Sequence, residues 1–117
     1  MEALLNRSAE AVGLCLDTAW AMEAGEDPVA LLRDFGDRIY GIHLKDFAFD
    51  GEGVTDVPIG RGALDLAGCL REMLRLPALA YLSLEYEGEP DDPLPGIMES
   101  KGRLQALLDA QESESPS

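Results

Sequence analysis

Three short apolar runs of this sequence contain a side chain that can bind a metal ion or transfer a proton. Asp17 closes the first run, His43 lies in the second, and Glu85 lies in the third. Carboxylate oxygens and an imidazole nitrogen together suit Mn²⁺, Mg²⁺, Co²⁺ or Zn²⁺. Carboxylates and imidazoles also serve as general acids and bases. The residue types therefore indicate a metal site or a site of proton transfer.

The elements that must position these residues are strands that alternate with helices. The predicted strands cover residues 12–17, 38–46 and 80–87. The predicted helices cover the N-terminal segment and residues 28–35, 64–77 and 100–110. Such alternation is typical of parallel βαβ units, and continuous apolar runs indicate strands that are covered on both faces. We therefore expect an α/β fold with parallel strands.

Capping residues support two of the predicted helices. Asp27 precedes a proline at the first helical position, and Gly36 is the expected stop of the same helix. Asp65 is the expected N-cap of the next helix, which ends before Pro77. The segment 47–63 is rich in glycine and aspartate and is predicted to be a loop.

Asp17, His43 and Glu85 share one position in the predicted sheet, at or near the carboxyl end of a strand. Ligands of parallel α/β folds bind at this end, because loops and helix N-termini gather there. Three neighbouring parallel strands would bring the three side chains to one rim. The sequence therefore predicts a ligand site at the strand exits.

Each of these residues also has a plainer interpretation, which the sequence leaves open. Asp17 could cap the following turn, and His43, the single histidine of the chain, could be a hydrogen-bonded core residue. Glu85 could belong to the acidic surface loop that follows it. Asp46 could bind the imidazole of His43 and so hold it in one tautomer, could pair with Lys45, or could lie exposed in the loop.

The composition describes a strongly acidic globular chain and excludes several kinds of partner. The 117 residues are 46% hydrophobic and 27% charged, which suits one domain. The formal net charge of −14 disfavours nucleic acid and anionic membrane surfaces as partners. No apolar run approaches the roughly 20 residues of a membrane-spanning helix. Cys15 and Cys69 are predicted to be reduced, buried thiols of a cytoplasmic protein.

The order of several short motifs resembles that of a known family. LCLDTAW is followed by AGEDPVALL, RIYGIHLKD, VPIGRGALDL and LSLEYE. This combination is similar to the sugar phosphate isomerase/epimerase family, whose members adopt the xylose isomerase-like TIM barrel. The resemblance implies that residues 1–110 are the C-terminal portion of such a barrel, about its last three strand–helix units. The polar residues 111–117 are predicted to be a disordered acidic tail.

The resemblance also implies a metal-dependent reaction on a sugar or sugar phosphate. In the family, glutamate, aspartate, histidine and glutamate side chains from different strands bind a divalent metal. By resemblance, Asp17, His43 and Glu85 correspond to the last three of these ligands. The implied chemistry is proton transfer next to a carbonyl through an enediolate, with two glutamates as acid and base. Glu85 would be one of that pair, and the sequence offers no counterpart of the other.

Three further residues are expected, by this resemblance, to contact the substrate. Many family members have a histidine three residues after the aspartate, whereas this chain has Trp20, as in one branch of the family. Lys45 belongs to the HLKD motif that is typical of that branch, and Arg61 lies on the same predicted rim. Trp20, Lys45 and Arg61 are therefore candidate substrate-binding residues.

A complete barrel of this kind needs more chain than this sequence provides. A (β/α)₈ barrel has about 250 residues, and three strands alone leave two open edges and an uncovered inner face. Three explanations are open: a truncated gene that starts at an internal methionine, an assembly with a missing N-terminal half or another copy, and a free-standing remnant. The alternative function is an inactive fragment or accessory chain that binds a partner through its sheet edges. AP endonucleases of the same fold are disfavoured, because they use more histidines and bind DNA.

Overall fold

Five α-helices, a short 3-10 helix (Gly36–Arg38) and five strands are present in the part of the chain that the computed structural model describes, residues 2–7 and 9–114 without the side chains of residues 113 and 114. The helices are α1 (Glu2–Asn6), α2 (Thr18–Glu23), α3 (Pro28–Asp34), α4 (Leu66–Met73) and α5 (Leu94–Glu114). The strands are β1 (Leu14–Asp17), β2 (Ile39–Leu44), β3 (Asp46–Phe49), β4 (Val54–Val57) and β5 (Tyr81–Leu84). The observed order contains the predicted alternation and adds α2, β3 and β4.

Three of the strands form one parallel sheet in the order β1-β2-β5. In its register, Asp17 pairs with His43, and His43 pairs with Ser83. The connections between these parallel strands contain α2 and α3 in one case and α4 in the other, as parallel crossovers require. The prediction of an α/β fold with three parallel strands is therefore confirmed.

The two faces of this sheet differ in what covers them. Ile42 and Leu44 are fully buried, in a core with Leu32 of α3 and Leu70 of α4. Alternate residues of a strand point to opposite faces, so the side chain of His43 lies on the other side of the sheet. That side is called the open face below, and its side chains are Cys15, Asp17, His43, Tyr81, Ser83 and Glu85.

The expectation that both faces are covered is wrong for the described residues. Tyr81 is 49% exposed on the open face, and the side chain of His43 is 37% exposed. Cys15 is also exposed, whereas Cys69 of α4 is buried, and both thiols are free. The prediction of buried thiols is thus right for Cys69 and wrong for Cys15, because Cys15 falls on the open face. Burial raises the pKa of the Cys69 thiol to about 12.

A β-hairpin occupies much of the segment that was predicted to be a loop. Strands β3 and β4 pair in antiparallel fashion. Their connection is closed by Asp50, whose Oδ1 accepts the backbone N–H groups of Glu52 and Gly53 at 3.1 Å each. Gly51 has a φ of 89°, which glycine adopts at little cost. The loop prediction failed here because the glycines and aspartates form one tight turn between two strands.

The predicted helix starts are confirmed where a capping aspartate marks them. Asp27 Oδ1 accepts the N–H of Val29 at 3.0 Å, and Asp65 Oδ1 accepts the N–H of Gly68 at 2.9 Å. Each bond satisfies a backbone donor that has no partner inside the helix.

The last helix is longer than predicted at both ends. Helix α5 begins at Leu94, with Pro95 in its first turn, where a proline is tolerated because the first N–H groups have no helical acceptor. The predicted tail, 111–117, needs correction, since the helix continues through residues 111–114 and residues 115–117 lie outside the described residues. None of the helices in the described part combines the length and the hydrophobicity that a membrane crossing requires.

Candidate functional site

The exits of β1, β2 and β5 bring the three predicted metal ligands to one rim. Asp17 and His43 are register partners on adjacent strands, and such strands lie about 4.8 Å apart. The N–H of Glu85 donates to the carbonyl oxygen of Leu44 at 3.0 Å, so Glu85 extends the ladder past the end of β5. Because Glu85 lies two residues after Ser83, the register partner of His43, its side chain points to the same face.

His43 and Glu85 are in direct proximity on the open face. His43 Nδ1 lies 3.6 Å from Glu85 Oε1, and the two side chains are 37% and 36% exposed. Two ligands that are each about 2.1 Å from a shared ion lie roughly 3 to 4 Å apart. The spacing of this pair therefore suits two ligands of one divalent ion.

Asp17 has a structural contact of its own. Its Oδ1 accepts the N–H of Trp20 at 3.0 Å and thereby caps α2. The interpretation of Asp17 as a cap is therefore confirmed. A carboxylate offers about four lone-pair positions, so a cap through one oxygen leaves the other oxygen able to bind a ligand.

Asp17, His43 and Glu85 supply two carboxylates and one imidazole on the open face, and these are groups that bind divalent metals. In residues 2–7 and 9–114, no three His, Cys, Asp or Glu side chains converge closely enough to hold an ion together. The metal role of Asp17, His43 and Glu85 and the catalytic role of Glu85 therefore stay predictions.

Thr18, which the sequence analysis did not single out, joins two of the strand exits. Its hydroxyl donates to the carbonyl oxygen of Lys45 at 2.6 Å and accepts the N–H of the same residue at 3.0 Å. Thr18 is fully buried. The hydroxyl thus fixes the end of β1 against the residue that follows β2. The signal for this role was a threonine placed directly after the last residue of a predicted buried strand.

Lys45 is almost buried and is held by two carboxylates. Its Nζ lies 2.5 Å from Asp56 Oδ2 and 3.6 Å from Glu87 Oε1, and its side chain is 5% exposed. Asp56 Oδ2 also accepts the N–H of Glu87 at 3.0 Å, while Asp56 Oδ1 is buried without a hydrogen-bond partner in the described part. These contacts of Lys45 and Asp56 join the end of β2 to β4 and to the segment after β5.

The charge of Lys45 is maintained by these partners. Burial alone lowers the pKa of its ammonium group, but the hydrogen bond and charge of Asp56, with the charges of Glu87 and Asp17, outweigh burial and leave the pKa raised. Lys45 therefore stays protonated at neutral pH. Its predicted contact with substrate stays a prediction, and the contacts it makes here are with carboxylates.

Asp46 is fully buried and organises the glycine-containing loop between β4 and α4. Its Oδ2 accepts the N–H groups of Gly60 and Gly62 at 2.9 Å each, and its Oδ1 accepts the N–H of Leu64 at 3.0 Å. The interpretation of Asp46 as an exposed loop residue is therefore wrong. The predicted support of His43 is not among the hydrogen bonds of Asp46 in the described part.

Arg61 lies at the predicted rim but is bound to α5. Its guanidinium contacts both carboxylate oxygens of Glu99, at 2.5 Å and 2.6 Å. Glu99 also binds Arg103 at 3.1 Å, and Arg103 donates to the carbonyl oxygen of Ile59 at 2.7 Å. The hydrogen bond from Arg61 is the main reason that the pKa of Glu99 is lowered.

Trp20 keeps much of its ring accessible next to the strand exits. Trp20 lies in the first turn of α2 and is 54% exposed. The indole meets the ring of Phe47 edge to face, with centroids 5.0 Å apart and an interplanar angle of 89°. This packing orients the indole and leaves ring surface for a further contact, which stays a prediction.

The sequence matches a family model over residues 1–107, and that model describes the xylose isomerase-like TIM barrel. The chain belongs to this family. TIM-barrel active sites are built at the carboxyl ends of the strands, which is the edge where Asp17, His43 and Glu85 lie. The resemblance found in the motifs is confirmed.

The curated relatives that this chain matches are much longer than the chain. Over 95 residues the chain is 30% identical to an inosose dehydratase from Geobacillus kaustophilus (strain HTA426), covering 68% of this chain and 30% of that protein. Over 111 residues it is 28% identical to the rhizopine catabolism protein MocC from Rhizobium meliloti, covering 81% of this chain and 34% of that protein. The chain thus spans about a third of the length of these relatives.

Solved structures of the barrel family share the fold. A xylose isomerase domain protein from Planctomyces limnophilus gives a TM-score of 0.73 at 20% identity, covering 91% of this chain and 41% of that one. A xylose isomerase-like TIM barrel/4-hydroxyphenylpyruvate dioxygenase fusion protein gives a TM-score of 0.59 at 21% identity, covering 93% and 20%. The prediction of a partial TIM barrel is therefore confirmed.

Proposed function

We propose that this chain carries part of the active site of a divalent-metal-dependent sugar isomerase or epimerase. The observation that supports the proposal most is the arrangement of Asp17, His43 and Glu85 on one face at the strand exits. Membership in the barrel family and relatives named as an inosose dehydratase and a rhizopine catabolism protein support it further.

In this proposal, Asp17, His43 and Glu85 would hold the ion. A divalent metal, when bound, polarises carbonyl and hydroxyl oxygens of the sugar. Glu85 would remove the proton from the carbon next to the carbonyl to give an enediolate, and the second glutamate that the resemblance implies, for which this sequence offers no counterpart, would return a proton to complete the reaction. Trp20 contributes apolar ring surface against the sugar, and Lys45, whose charge is balanced by Asp56 and Glu87, holds these two carboxylates beside the site.

Manganese binding by the chain tests the metal part of the proposal. Titration calorimetry with MnCl₂ should show binding that His43→Ala and Glu85→Gln each weaken by about tenfold or more, since one ligand is lost. Asp91→Asn is the matched control, because it removes an exposed carboxylate of the neighbouring acidic loop. Equal affinity in all four proteins would refute the site.

The proton-transfer part needs its own measurement. A ketose incubated with the chain and Mn²⁺ in D₂O should exchange the hydrogen next to its carbonyl, as followed by ¹H NMR. Glu85→Gln should abolish this exchange. Exchange that persists in Glu85→Gln would assign the proton transfer to another group. Exchange followed by loss of a hydroxyl group would indicate a dehydratase, the activity in the name of one relative.

The second candidate function is that of an accessory chain that binds a partner through its sheet edges. The unpaired outer edges of β1 and β5 favour it. In the described sheet, each of these strands pairs only with β2. Backbone N–H and C=O groups on such edges readily pair with another strand. An accessory chain of this kind should form a stable assembly in sedimentation experiments, whereas a monomer with cooperative melting would count against it.

A further inference from the structure

Each predicted ligand at the strand exits is followed, within two residues, by a member of one connected group. The members are Thr18 after β1, Lys45 after β2 and Glu87 after β5. A fourth residue, Asp56 of β4, contacts two of them from the hairpin. These four residues are called the clamp below. Their contacts act on the backbone directly next to the predicted ligands.

Lys45 is the centre of the clamp, because it contacts each of the other three residues. The Thr18 hydroxyl binds its backbone N–H and its carbonyl oxygen, at 3.0 Å and 2.6 Å. Its Nζ lies 2.5 Å from Asp56 Oδ2, 3.6 Å from Glu87 Oε1 and 5.9 Å from the ring centroid of Phe47. The side chain is almost buried. One residue thus connects the ends of all three parallel strands.

Glu85 lies between two points at which the backbone is held. Its own N–H donates to the carbonyl oxygen of Leu44 at 3.0 Å. Two residues later, the N–H of Glu87 donates to Asp56 Oδ2, also at 3.0 Å. A short segment that is held at both ends has few backbone conformations available, and the loss of one of these bonds restores some of them. The carboxylate that lies 3.6 Å from His43 Nδ1 therefore belongs to a segment that the hairpin holds.

The same segment approaches β4 so closely that a glycine is required. A Cβ atom on Gly88 would lie 2.3 Å from the carbonyl oxygen of Asp56 and 2.8 Å from Cε1 of Tyr86. Any other residue at this position would move the segment away from the hairpin. This contact involves the backbone of β4 and is independent of the Asp56 carboxylate. It is a second observation that the hairpin and the segment after β5 fit each other.

The charge of Asp56 is more than the packing of this region requires. Its Oδ1 is buried without a hydrogen-bond partner among the described residues, so the carboxylate is bound through Oδ2. A buried ion pair can often be replaced by apolar residues of similar volume without loss of stability. Apolar residues cannot accept the N–H of Glu87, however, and give that contact no direction. What the ion pair adds is a fixed geometry for the segment that contains Glu85.

We propose that Asp56 is a positioning residue of the site at the strand exits. Through its bonds to Lys45 and Glu87, it fixes the ends of β2 and β5 against each other. The separation of His43 and Glu85 follows from this. The expected consequence for metal affinity rests on the proposed function, whereas the geometry itself can be measured without a metal.

A double variant separates positioning from stability. Lys45→Met with Asp56→Leu removes both buried charges, so neither is left unpaired, but it also removes the acceptor of the Glu87 N–H. Hydrogen exchange followed by NMR compares the N–H of Glu85 with that of Ile42, a fully buried residue of β2. In the double variant, the exchange rate of Glu85 relative to Ile42 should rise about tenfold or more, because the segment is held at one end only.

Ile39→Val is the matched control, since it lowers stability at the buried start of β2, the end opposite to His43. In this control the relative exchange rate of Glu85 should not rise. NMR cross-peaks between the ring protons of His43 and the side-chain protons of Glu85 should persist in the control and weaken in the double variant. An unchanged exchange ratio with unchanged cross-peaks in the double variant would overturn the proposal, because Asp56 would then hold the hairpin alone.

A second variant reaches the same segment without altering either charge. Gly88→Ala should displace the segment from β4 and weaken the same cross-peaks. Gly102→Ala is its control, because a Cβ atom there meets nothing within 4 Å, and it should leave the cross-peaks unchanged. Cross-peaks that persist in Gly88→Ala would contradict the close fit on which the proposal rests.

Manganese titration separates this proposal from the proposed function. If both are correct, the double variant binds Mn²⁺ about tenfold or more weakly than the parent chain, and Ile39→Val binds it as the parent does. Parent binding that does not depend on His43 would refute the metal site, and the NMR measurements would still decide whether Asp56 positions Glu85. Binding that depends on His43 but is unaltered in the double variant would leave the proposed function intact and refute the positioning role.

Discussion

The strand exits and the neighbouring hairpin with its glycine-containing loop are both rich in charge, but they use that charge differently. At the exits, His43 and Glu85 are more than a third exposed and lie 3.6 Å apart. In the hairpin and loop, Asp46 is fully buried, and its two oxygens accept three backbone N–H groups. A buried charge must be paired within the protein, because burial removes it from water. A partly exposed charge is solvated by water and remains free to bind a ligand. Exposure thus separates structural carboxylates from candidate functional ones.

The sharpest test of this difference is the removal of the buried carboxylate. Asp46→Ala should lower the free energy of unfolding by about 4 kcal/mol or more, because three backbone N–H groups lose a charged acceptor. Urea denaturation followed by circular dichroism measures the change. Asp50→Ala is the control, since it removes an exposed acceptor of two N–H groups in the same hairpin and should cost about 1 kcal/mol. Equal losses in the two variants would contradict the comparison.

The buried ammonium of the same region should show a smaller but pH-dependent effect. Lys45→Met should cost about 3 kcal/mol at pH 7, because Asp56 is left almost buried without its cation. The pKa of Lys45 is raised in the folded chain. Its contribution to stability is therefore complete below about pH 10.4, the unfolded value, and is lost as the pH rises through the folded value.

Unfolding by urea at a series of pH values checks the sign of this linkage. The parent chain should lose its advantage over Lys45→Met above about pH 10.4. Other groups that titrate in this range, such as the Cys69 thiol, are present in both proteins and cancel in the difference. A difference in stability that stays constant through this range would show that the charge of Lys45 contributes nothing.

The two regions also differ in how well the sequence predicts them. The helix starts at Asp27 and Asp65 were predictable, because a cap bonds to backbone groups two or three residues away. The strand exits were predictable from apolar runs that end on Asp17, His43 and Glu85. Local pattern and topology were sufficient for these features.

The partners in the hairpin region were not predictable from local pattern. Asp56 and Glu87 meet Lys45 only after the hairpin has folded and β5 has joined the sheet. Asp46 has the sequence context of an exposed loop residue, and its burial follows from the path of the loop around it. Long-range pairing of charges leaves no periodicity in one sequence, so these residues could not be distinguished from surface acids.

Removal of the Thr18 hydroxyl, which joins the ends of β1 and β2, should have an effect on stability between those of Lys45→Met and His43→Ala. Thr18→Val keeps the shape of the side chain but removes a donor to the carbonyl of Lys45 and an acceptor for its N–H. The expected loss is about 2 kcal/mol, because both backbone groups become unpaired in a buried position. Thermal unfolding checks it, with Thr55→Val on the exposed part of the hairpin as the matched control. A loss no larger than that of the control would mean that the exits are fixed by other contacts.

The smallest expected effect on stability belongs to the residue with the largest expected effect on ligand binding. His43→Ala should change the free energy of unfolding by less than about 1 kcal/mol, because its side chain is more than a third exposed and contacts the similarly exposed Glu85. The same variant should lose manganese affinity. A loss of stability as large as that of Lys45→Met would instead make His43 a structural residue, which was the plainer interpretation of a single histidine in an apolar run. Stability and metal binding measured on the His43→Ala variant therefore decide between the two interpretations. If the variant keeps its stability but loses manganese affinity, His43 is a ligand-binding residue of the strand exits and not a residue of the core.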